Sequence, residues 1–200
     1  MATDAYRFLL PLLALGGLSL FFGLPALAVA LLLLAAFTAF FFRNPARRIP
    51  DEPGLVVSPA DGKVVKISRA DDGTQTLSIF LSIFNVHVNR SPIDGILEDL
   101  RYQRGKFKVA FDEEASRVNE QNILTIAGGD VRLVVKQVAG LIARRVLCWK
   151  KPGEPVRRGE LIGLIRFGSR VDVIVPQGVR LRVGVGDRVR GGSSVIGECV

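Results

Sequence analysis

Residues 161–176 read LIGLIRFGSRVDVIVP, two apolar, β-branched runs on either side of Gly168 and Ser169. Runs of this kind predict short β-strands, and the small residues between them predict a tight turn. Similar runs occur at 64–67, 76–83, 96–102, 131–138 and 141–149. The stretch 111–117, which has an acidic start, is typical of a short helix. The spacing predicts a mainly β fold, an antiparallel sandwich or barrel-like domain over residues 55–200.

A short pattern recurs near the end of the chain. The heptapeptide GEPVRRG at 153–159 returns as GDRVRGG at 186–192, an offset of 33 residues (186 − 153 = 33). Each copy predicts a hairpin turn that leads into a strand, so the sequence predicts an internal hairpin repeat. Paired turns of this kind also occur in small β-sandwiches that carry lipoyl or biotinyl groups, and the repeat therefore indicates a fold rather than an activity. Neither heptapeptide contains a lysine, which argues against a swinging-arm carrier.

The segment 8–42 is almost wholly apolar. As one helix, at about 1.5 Å per residue, it would be roughly 50 Å long, against a hydrocarbon core of about 30 Å. The break at 23–25 favours two helices folded as a transmembrane hairpin. An arginine at 7 precedes the pair and arginines at 43, 47 and 48 follow it, so the positive-inside bias predicts cytoplasmic ends. The alternative is a cleaved signal peptide, but the apolar stretch is about twice as long as such a peptide requires.

These patterns divide the chain into a membrane anchor over 1–43, a linker over 44–54 and a folded domain over 55–200. The net charge is +8, with 27 Lys and Arg against 19 Asp and Glu. Such a balance favours anionic partners, either phospholipid or nucleic acid. Most aromatic residues are Phe, many of them in the apolar segment, so the basic regions lack the stacking platforms of a single-strand binder. We expect a membrane partner and no nucleic acid. The two cysteines, Cys148 and Cys199, have no metal-ligand spacing, and no metal is expected.

Three polar residues are candidates for chemistry. Ser169 follows a glycine, His87 is the one histidine in the sequence, and Asp61 lies in SPADGK. Each has an ordinary structural explanation, because Gly-Ser and Asp-Gly are common in turns and a single His is more often packed or solvated than catalytic. The order Asp, His, Ser along the chain occurs in one class of serine hydrolase, but chain order does not decide function.

Seven ordered motifs carry a more specific signal: AFFFRNPARRIP (39–50), VSPADGKV (57–64), FNVHVNRSPIDG (84–95), YQRGKF (102–107), EEASRVNEQN (113–122), QVAGLIARRVLCW (137–149) and RFGSRVDVIVP (166–176). Together they resemble the short, bacterial and archaeal form of phosphatidylserine decarboxylase. The resemblance implies a proenzyme that cuts itself into a β chain, 1–168, and an α chain, 169–200. It implies a pyruvoyl cofactor, a phosphatidylserine substrate, and phosphatidylethanolamine and carbon dioxide as products. Archaeal members act on an ether-lipid counterpart.

The resemblance also implies roles for individual residues. Ser169 would attack the carbonyl of Gly168, where the absence of a side chain allows the approach, and would then become the pyruvoyl group that forms a Schiff base with the substrate amine. His87 would act as the base, oriented and charged by Asp61. Longer members carry a second His where this chain has Arg90, so the roles of that histidine are expected to fall on His87 or on another group.

Basic side chains in or beside the motifs are candidates for the substrate headgroup: Lys63, Arg90, Lys106 and Arg170. Their alternative explanation is a solvated basic surface. The resemblance further implies an α/β heterodimer or a higher oligomer, held at the inner membrane with its catalytic domain on the cytoplasmic face. Two other functions stay open: a membrane-anchored, lipoyl-like β-sandwich adaptor, and a membrane serine hydrolase.

Overall fold

The computed structural model of the 200-residue chain describes residues 1–108, 115–140, 145–166 and 169–200. They form two compact units, Met1–Ala46 and Arg47–Val200. The second unit begins inside the segment predicted as a linker. Gly168 of the expected cleavage site, residues 111–114 of the expected helix and residues 141–144 of one expected strand lie outside the described residues.

The first unit is a pair of apolar helices preceded by a short 3-10 turn at Thr3–Ala5. Helix α1 spans Tyr6–Phe21 and helix α2 spans Pro25–Phe41. Gly23 makes the reversal between them with φ of +70°, a conformation that glycine adopts without strain. The helices pack closely at Gly16, where a Cβ atom would lie 3.3 Å from Leu32 Cδ2. By length and composition, Thr3–Phe21 could cross a membrane, whereas Pro25–Phe41 is a shorter apolar helix.

The second unit is mainly β, as predicted. Its elements are β1 (Leu55–Val57), β2 (Gly62–Arg69), β3 (Gln75–Leu81), β4 (Val88–Arg90), β5 (Gly95–Gln103), α3 (Ala115–Val118), β6 (Gln121–Gly128), β7 (Val131–Ala139), β8 (Val146–Cys148), β9 (Pro155–Val156), β10 (Leu161–Ile165), β11 (Ser169–Val175), β12 (Val179–Leu181), β13 (Arg188–Val189) and β14 (Val195–Cys199).

All the paired strands of this unit are antiparallel. One sheet has eight strands in the order β13-β2-β3-β11-β7-β6-β5-β9, and two smaller sheets have the orders β1-β14-β12 and β4-β10-β8. Side chains alternate between the two faces of each strand, so every second residue of the central strands enters the core. The core residues of β3 and β11 are Leu77, Ile79, Leu81, Val171, Val173 and Val175.

The two heptapeptides of the 33-residue spacing contact two different strands in the same way. Gly153 N donates to Leu97 O, and Gly186 N donates to Val64 O, both at 2.8 Å. Each heptapeptide contains a two-residue strand, β9 in the first and β13 in the second. These strands pair with the first residues of β5 and β2, respectively. The contacted residues are themselves 33 positions apart (97 − 64 = 33). The 33-residue offset therefore separates the two donor glycines and also the two residues that accept their hydrogen bonds.

The segments before β2 and β5, SPADG at 58–62 and SPIDG at 91–95, also correspond. Asp61 Oδ1 accepts a hydrogen bond from Gly191 N at 2.7 Å, and Asp94 Oδ1 accepts one from Arg158 N at 3.0 Å. In the eight-stranded sheet β2 runs parallel to β11 and β5 runs antiparallel to it. Asp61 therefore precedes its strand at the same end as Ser169, and Asp94 precedes its strand at the other end.

Candidate active site

The predicted catalytic residues come from three neighbouring parts of the second unit. Asp61 directly precedes β2, Ser169 is the first residue of β11, and His87 lies in the loop between β3 and β4. Because β2, β3 and β11 are adjacent and antiparallel, the start of β2, the end of β3 and the start of β11 lie at the same end of the sheet. The topology thus brings Asp61 and Ser169 to the end of the sheet from which the loop with His87 departs.

Ser169 is held by strands on both sides. It lies opposite Leu81 of β3 and opposite Ala139 of β7 in the two antiparallel ladders. Its side chain is fully buried, and among the described residues its Oγ atom has no hydrogen-bond partner. A buried hydroxyl without a partner is costly, so such a group is commonly found where chemistry requires it.

His87 is also fully buried. Its Nδ1 atom lies 3.0 Å from the carbonyl oxygen of Asn85, and its own carbonyl accepts a hydrogen bond from Ile165 N at 3.2 Å. A carbonyl can only accept a hydrogen bond, so this contact assigns the proton of a neutral ring to Nδ1 and leaves Nε2 with the lone pair. The contact with Ile165 places His87 beside the end of β10, which is the strand that leads to Ser169.

Asp61 forms an ion pair that the sequence did not predict. Arg47 Nη2 lies 2.9 Å from Oδ1 and 2.8 Å from Oδ2 of this carboxylate, and Gly191 N also donates to Oδ1. The two charged side chains are only 10% and 13% exposed. The hydrogen bonds therefore give Asp61 and His87 different partners. Arg47 lies in the RNPARRIP stretch at 43–50. The sequence alone predicts that it is part of the linker and one of the arginines that set the orientation of the membrane segment.

Arg90, one of the expected headgroup residues, lies close to this ion pair. Its Nη1 atom donates to Gly159 O at 2.7 Å. Burial lowers the pKa of its guanidinium, Arg47 lowers this pKa further, and Asp61 raises it. Arg90 thus contributes positive charge beside Asp61 while its side chain supports the turn at Gly159.

Arg170 was expected to contact the headgroup, but the structure places it in a buried polar network. Its Nε atom lies 2.6 Å from Asp172 Oδ1, and its Nη2 atom donates to Ser78 Oγ at 2.7 Å. Ser116 Oγ donates to the other oxygen of Asp172 at 2.6 Å. Arg170 is 5% exposed and Asp172 is 2% exposed. The hydrogen bond from Ser116 thus ties α3 to Asp172 of β11, three residues beyond Ser169 (172 − 169 = 3).

The other two headgroup candidates are exposed. Lys106 lies in a short bridge with Asn119. Lys63 lines a cleft of about 700 Å³. The lining residues of this cleft are Asp61, Gly62, Lys63, Phe80, Ser82, Phe84, Asn85, Arg188, Val189 and Arg190. The cleft thus lies beside Asp61 and beside the loop that leads to His87. In the described part of the chain, no group of three or more His, Cys, Asp or Glu side chains could hold a metal ion.

Comparison with known proteins assigns the chain to a family. The family model for phosphatidylserine decarboxylase matches residues 34–197. The chain belongs to this family. The phosphatidylserine decarboxylase proenzyme of Solibacter usitatus (strain Ellin6076) is 51% identical over 172 residues, which cover 86% of this chain and 83% of the relative.

Two further relatives agree with this assignment. The phosphatidylserine decarboxylase proenzyme of Geotalea uraniireducens (strain Rf4) is 48% identical, with 86% of this chain and 83% of the relative covered. That of Geobacter sp. (strain M21) is 46% identical, with 93% and 88% covered. The resemblance inferred from the seven motifs is therefore confirmed.

Proposed function

We propose that this chain is a proenzyme that cuts itself between Gly168 and Ser169 and converts Ser169 into a pyruvoyl group. The mature enzyme decarboxylates phosphatidylserine to phosphatidylethanolamine, the activity of its family. The observation that carries the proposal is the fully buried Ser169 hydroxyl, which has no hydrogen-bond partner among the described residues. This hydroxyl begins the strand that follows the expected cut, and His87 lies beside the strand that precedes it.

The self-cleavage would begin with two groups of the chain itself, the Ser169 hydroxyl and the amide bond between Gly168 and Ser169. Ser169 Oγ would attack the carbonyl carbon of Gly168, forming an ester as the amide bond to Ser169 N breaks. Removal of the Ser169 α-proton would then expel the Gly168 carboxylate and leave a dehydroalanine. Addition of water and loss of ammonia would convert that residue into the ketone. No external oxidant or reductant is needed, because each step is an acyl transfer, an elimination or a hydrolysis.

His87 is the proposed base for the first step. With its proton on Nδ1, facing Asn85 O, the ring would use Nε2 to accept the serine proton. Full burial of the ring removes competing water from this nitrogen. The short connection from Ile165 to Ser169 supports the proximity of base and nucleophile, because four residue steps span at most about 14 Å.

Asp61 is the proposed acidic partner of His87. Both of its carboxylate oxygens are held by Arg47 and one also by Gly191, so it would act through its charge rather than through a hydrogen bond to the ring. Arg47 would fix the position of that charge. We therefore add Arg47 to the site as a positioning residue.

The residues around position 169 fit the expected pyruvoyl group. The orphaned Oγ atom is buried and would leave with the Gly168 carboxylate, so the methyl group that takes the place of the hydroxymethyl group would leave no hydrogen bond unmade. The ketone would form at the Cα atom, where the amide nitrogen was. When present, the group supplies an electron sink for the decarboxylation. The chain itself would keep the group in place through β3 and β7, which flank residue 169, and through the buried pair of Arg170 and Asp172. The same contacts would keep the 169–200 chain bound to the 1–168 chain after the cut.

We further propose that α1 and α2 form a membrane anchor with cytoplasmic ends, and that the Arg47–Val200 unit works at the cytoplasmic face of the inner membrane. The length and apolar composition of Thr3–Phe21 support this placement, as do the arginines on either side of the helix pair. An anchored enzyme meets its lipid substrate by lateral diffusion. We also propose that the two 33-residue-spaced segments are a structural repeat, on the strength of their matched backbone hydrogen bonds.

The proposed role of Ser169 is tested by assaying phosphatidylethanolamine formation from phosphatidylserine vesicles. The Ser169→Ala variant is expected to stay whole and to have no activity. Ser193→Ala is the matched control, since it changes the serine of a second Gly-Ser pair at Gly192, and it should be cut and active. An active Ser169→Ala variant would refute the mechanism. Activity without cleavage of the wild-type chain would also refute it.

A further inference from the structure

Three cationic side chains line one wall of the cleft beside Asp61. Lys63, Arg188 and Arg190 line it and are exposed, and none has an ion-pair partner among the described residues. Lys63 and Arg188 are cross-strand neighbours in the β2 and β13 ladder, so their Cβ atoms lie about 5 Å apart on one face. Arg190 follows one residue after β13. The cleft therefore concentrates positive charge on a single wall.

Asp61, the one carboxylate among the described residues that line the cleft, does not balance this charge. Asp61 is already paired with Arg47 and accepts a hydrogen bond from Gly191 N. Three cations without an anionic partner, in a concave site, attract an anion that has several acceptor oxygens. A phosphodiester has this chemistry, and Arg side chains can bind its oxygens in a bidentate manner.

The part of the cleft next to Lys63 is apolar and aromatic. Phe80 pairs with Lys63 across the β2 and β3 ladder, and Phe84 is 67% exposed in the loop beyond β3. Ile83, next to Phe84, is 36% exposed. A cationic pocket bordered by exposed apolar side chains suits a ligand with a phosphate on one side and hydrocarbon on the other.

The cleft lies at the end of the sheet where β11 begins with Ser169. Phe80 and Ser82 line it on the face of β3 opposite to Leu81, the direct cross-strand partner of Ser169, so a ligand in the cleft would reach position 169 around the end of β3. Asn85, which also lines the cleft, holds His87 Nδ1 through its carbonyl oxygen. A ligand whose phosphate contacts Lys63 would thus lie within a few strand spacings of the reacting position.

We propose that Lys63, Arg188 and Arg190 bind the phosphate of the lipid headgroup and so direct the serine amine towards position 169. This inference rests on the proposed function. It retains Lys63 from the four candidates selected by sequence and adds two arginines that the sequence did not single out. Arg90 and Arg170 are engaged elsewhere, by Gly159 and by Asp172.

The test measures kcat and KM with dihexanoyl phosphatidylserine kept below its micelle concentration. Each single change, Lys63→Gln, Arg188→Gln or Arg190→Gln, is expected to raise KM by about fivefold, and the triple variant by about thirtyfold or more, as for lost charge-assisted hydrogen bonds. The value of kcat should change by less than about twofold, because the chemical groups at position 169 are untouched. O-hexyl-L-serine, which lacks the phosphate, should be turned over equally by the wild type and the triple variant.

The matched control is Arg69→Gln, which removes an exposed positive charge from the far end of the same strand as Lys63. Its KM should equal that of the wild type. An unchanged KM of the triple variant for the soluble lipid would overturn the proposal. Loss of activity on vesicles alone would also overturn it, since the cations would then serve only the bilayer surface.

Failure of the proposed function would give a different result. The wild-type chain would then stay uncut and release no carbon dioxide from either substrate. In that case the phosphate site is tested by calorimetric titration of the uncut chain with dihexanoyl phosphatidylserine. Weaker binding by the triple variant than by Arg69→Gln would support the site, and equal binding would overturn it.

Discussion

Arg170 Nε lies 2.6 Å from Asp172 Oδ1, in an ion pair whose side chains are only 7% and 3% exposed. The pair begins at the second residue after the proposed cut, on the face of β11 opposite to Ser169. It is also joined to Ser78 and to Ser116. Removing one partner of a buried ion pair leaves an uncompensated charge, which commonly costs about 3–5 kcal/mol.

We therefore predict that Asp172→Asn lowers the free energy of unfolding by about 3 kcal/mol and loosens the hold on the 169–200 chain. Urea unfolding measures the first effect, and gel filtration after processing measures the second. Asp99→Asn is the matched control, because Asp99 also pairs with an arginine two residues away but is 43% exposed. This control should change stability by less than about 1 kcal/mol. Equal losses in both variants would contradict the buried role of Asp172.

His87→Ala is predicted to block self-cleavage, because the variant lacks the proposed base. The measurement is a denaturing gel of freshly purified protein, in which only the full-length chain should be seen. Added imidazole should restore part of the cleavage, since it can occupy the space of the lost ring and accept a proton. A variant that is fully cleaved without imidazole would remove His87 from this role.

Asp61 and Asp94 provide a comparison built into the chain. Both accept a backbone hydrogen bond through Oδ1 in corresponding turns, but Asp61 alone is at the strand end that holds Ser169. Asp61→Asn should slow self-cleavage by at least about tenfold, because the asparagine removes the charge near His87 and leaves Arg47 unpaired. Asp94→Asn should be cut at the wild-type rate. Equal slowing in both would mean that the turn, and not the charge, matters.

The packing of the two N-terminal helices depends on Gly16. A Cβ atom there would lie 3.3 Å from Leu32 Cδ2, whereas one at Gly17 would meet nothing within 4 Å. Gly16→Leu should therefore destabilise the helix pair by about 1–3 kcal/mol, the usual cost of overpacking. Gly17→Leu should not. The thermal unfolding of residues 1–46 is measured within the full chain in detergent, through the helical circular dichroism signal. Equal melting temperatures of the two variants would contradict the packing at Gly16.

Much of the site was accessible from the sequence. The strand-like runs predicted a turn at Gly168 and Ser169 directly before a strand, because period and β-branching are local signals, and the structure begins that strand, β11, at Ser169 itself. The 33-residue offset of the two heptapeptides was visible, and a second signal was overlooked: SPADG at 58–62 and SPIDG at 91–95 have the same offset. That match would have indicated which turns belong together.

Other site residues were not accessible, because tertiary contacts decide their roles. Arg47 lies in an irregular segment, and nothing local shows that it reaches Asp61, 14 positions away. Arg188 and Arg190 belong to the repeated turn, and only the pairing of β13 with β2 brings them to Lys63. The buried contacts of Arg170, a headgroup candidate, depend on tertiary structure as well: it donates to Ser78, and its ion-pair partner Asp172 accepts from Ser116, both from distant parts of the chain.

The central claim is that Ser169 becomes a pyruvoyl group, and intact-mass measurement of the purified wild-type chain tests it most directly. The account predicts two fragments, 1–168 and 169–200, with the smaller lighter by one ammonia than a peptide that begins with serine. Hydroxylamine should convert its terminal ketone into an oxime, and borohydride should add two hydrogen atoms. A single full-length mass, or a small fragment with an unmodified serine at its start, would contradict the claim.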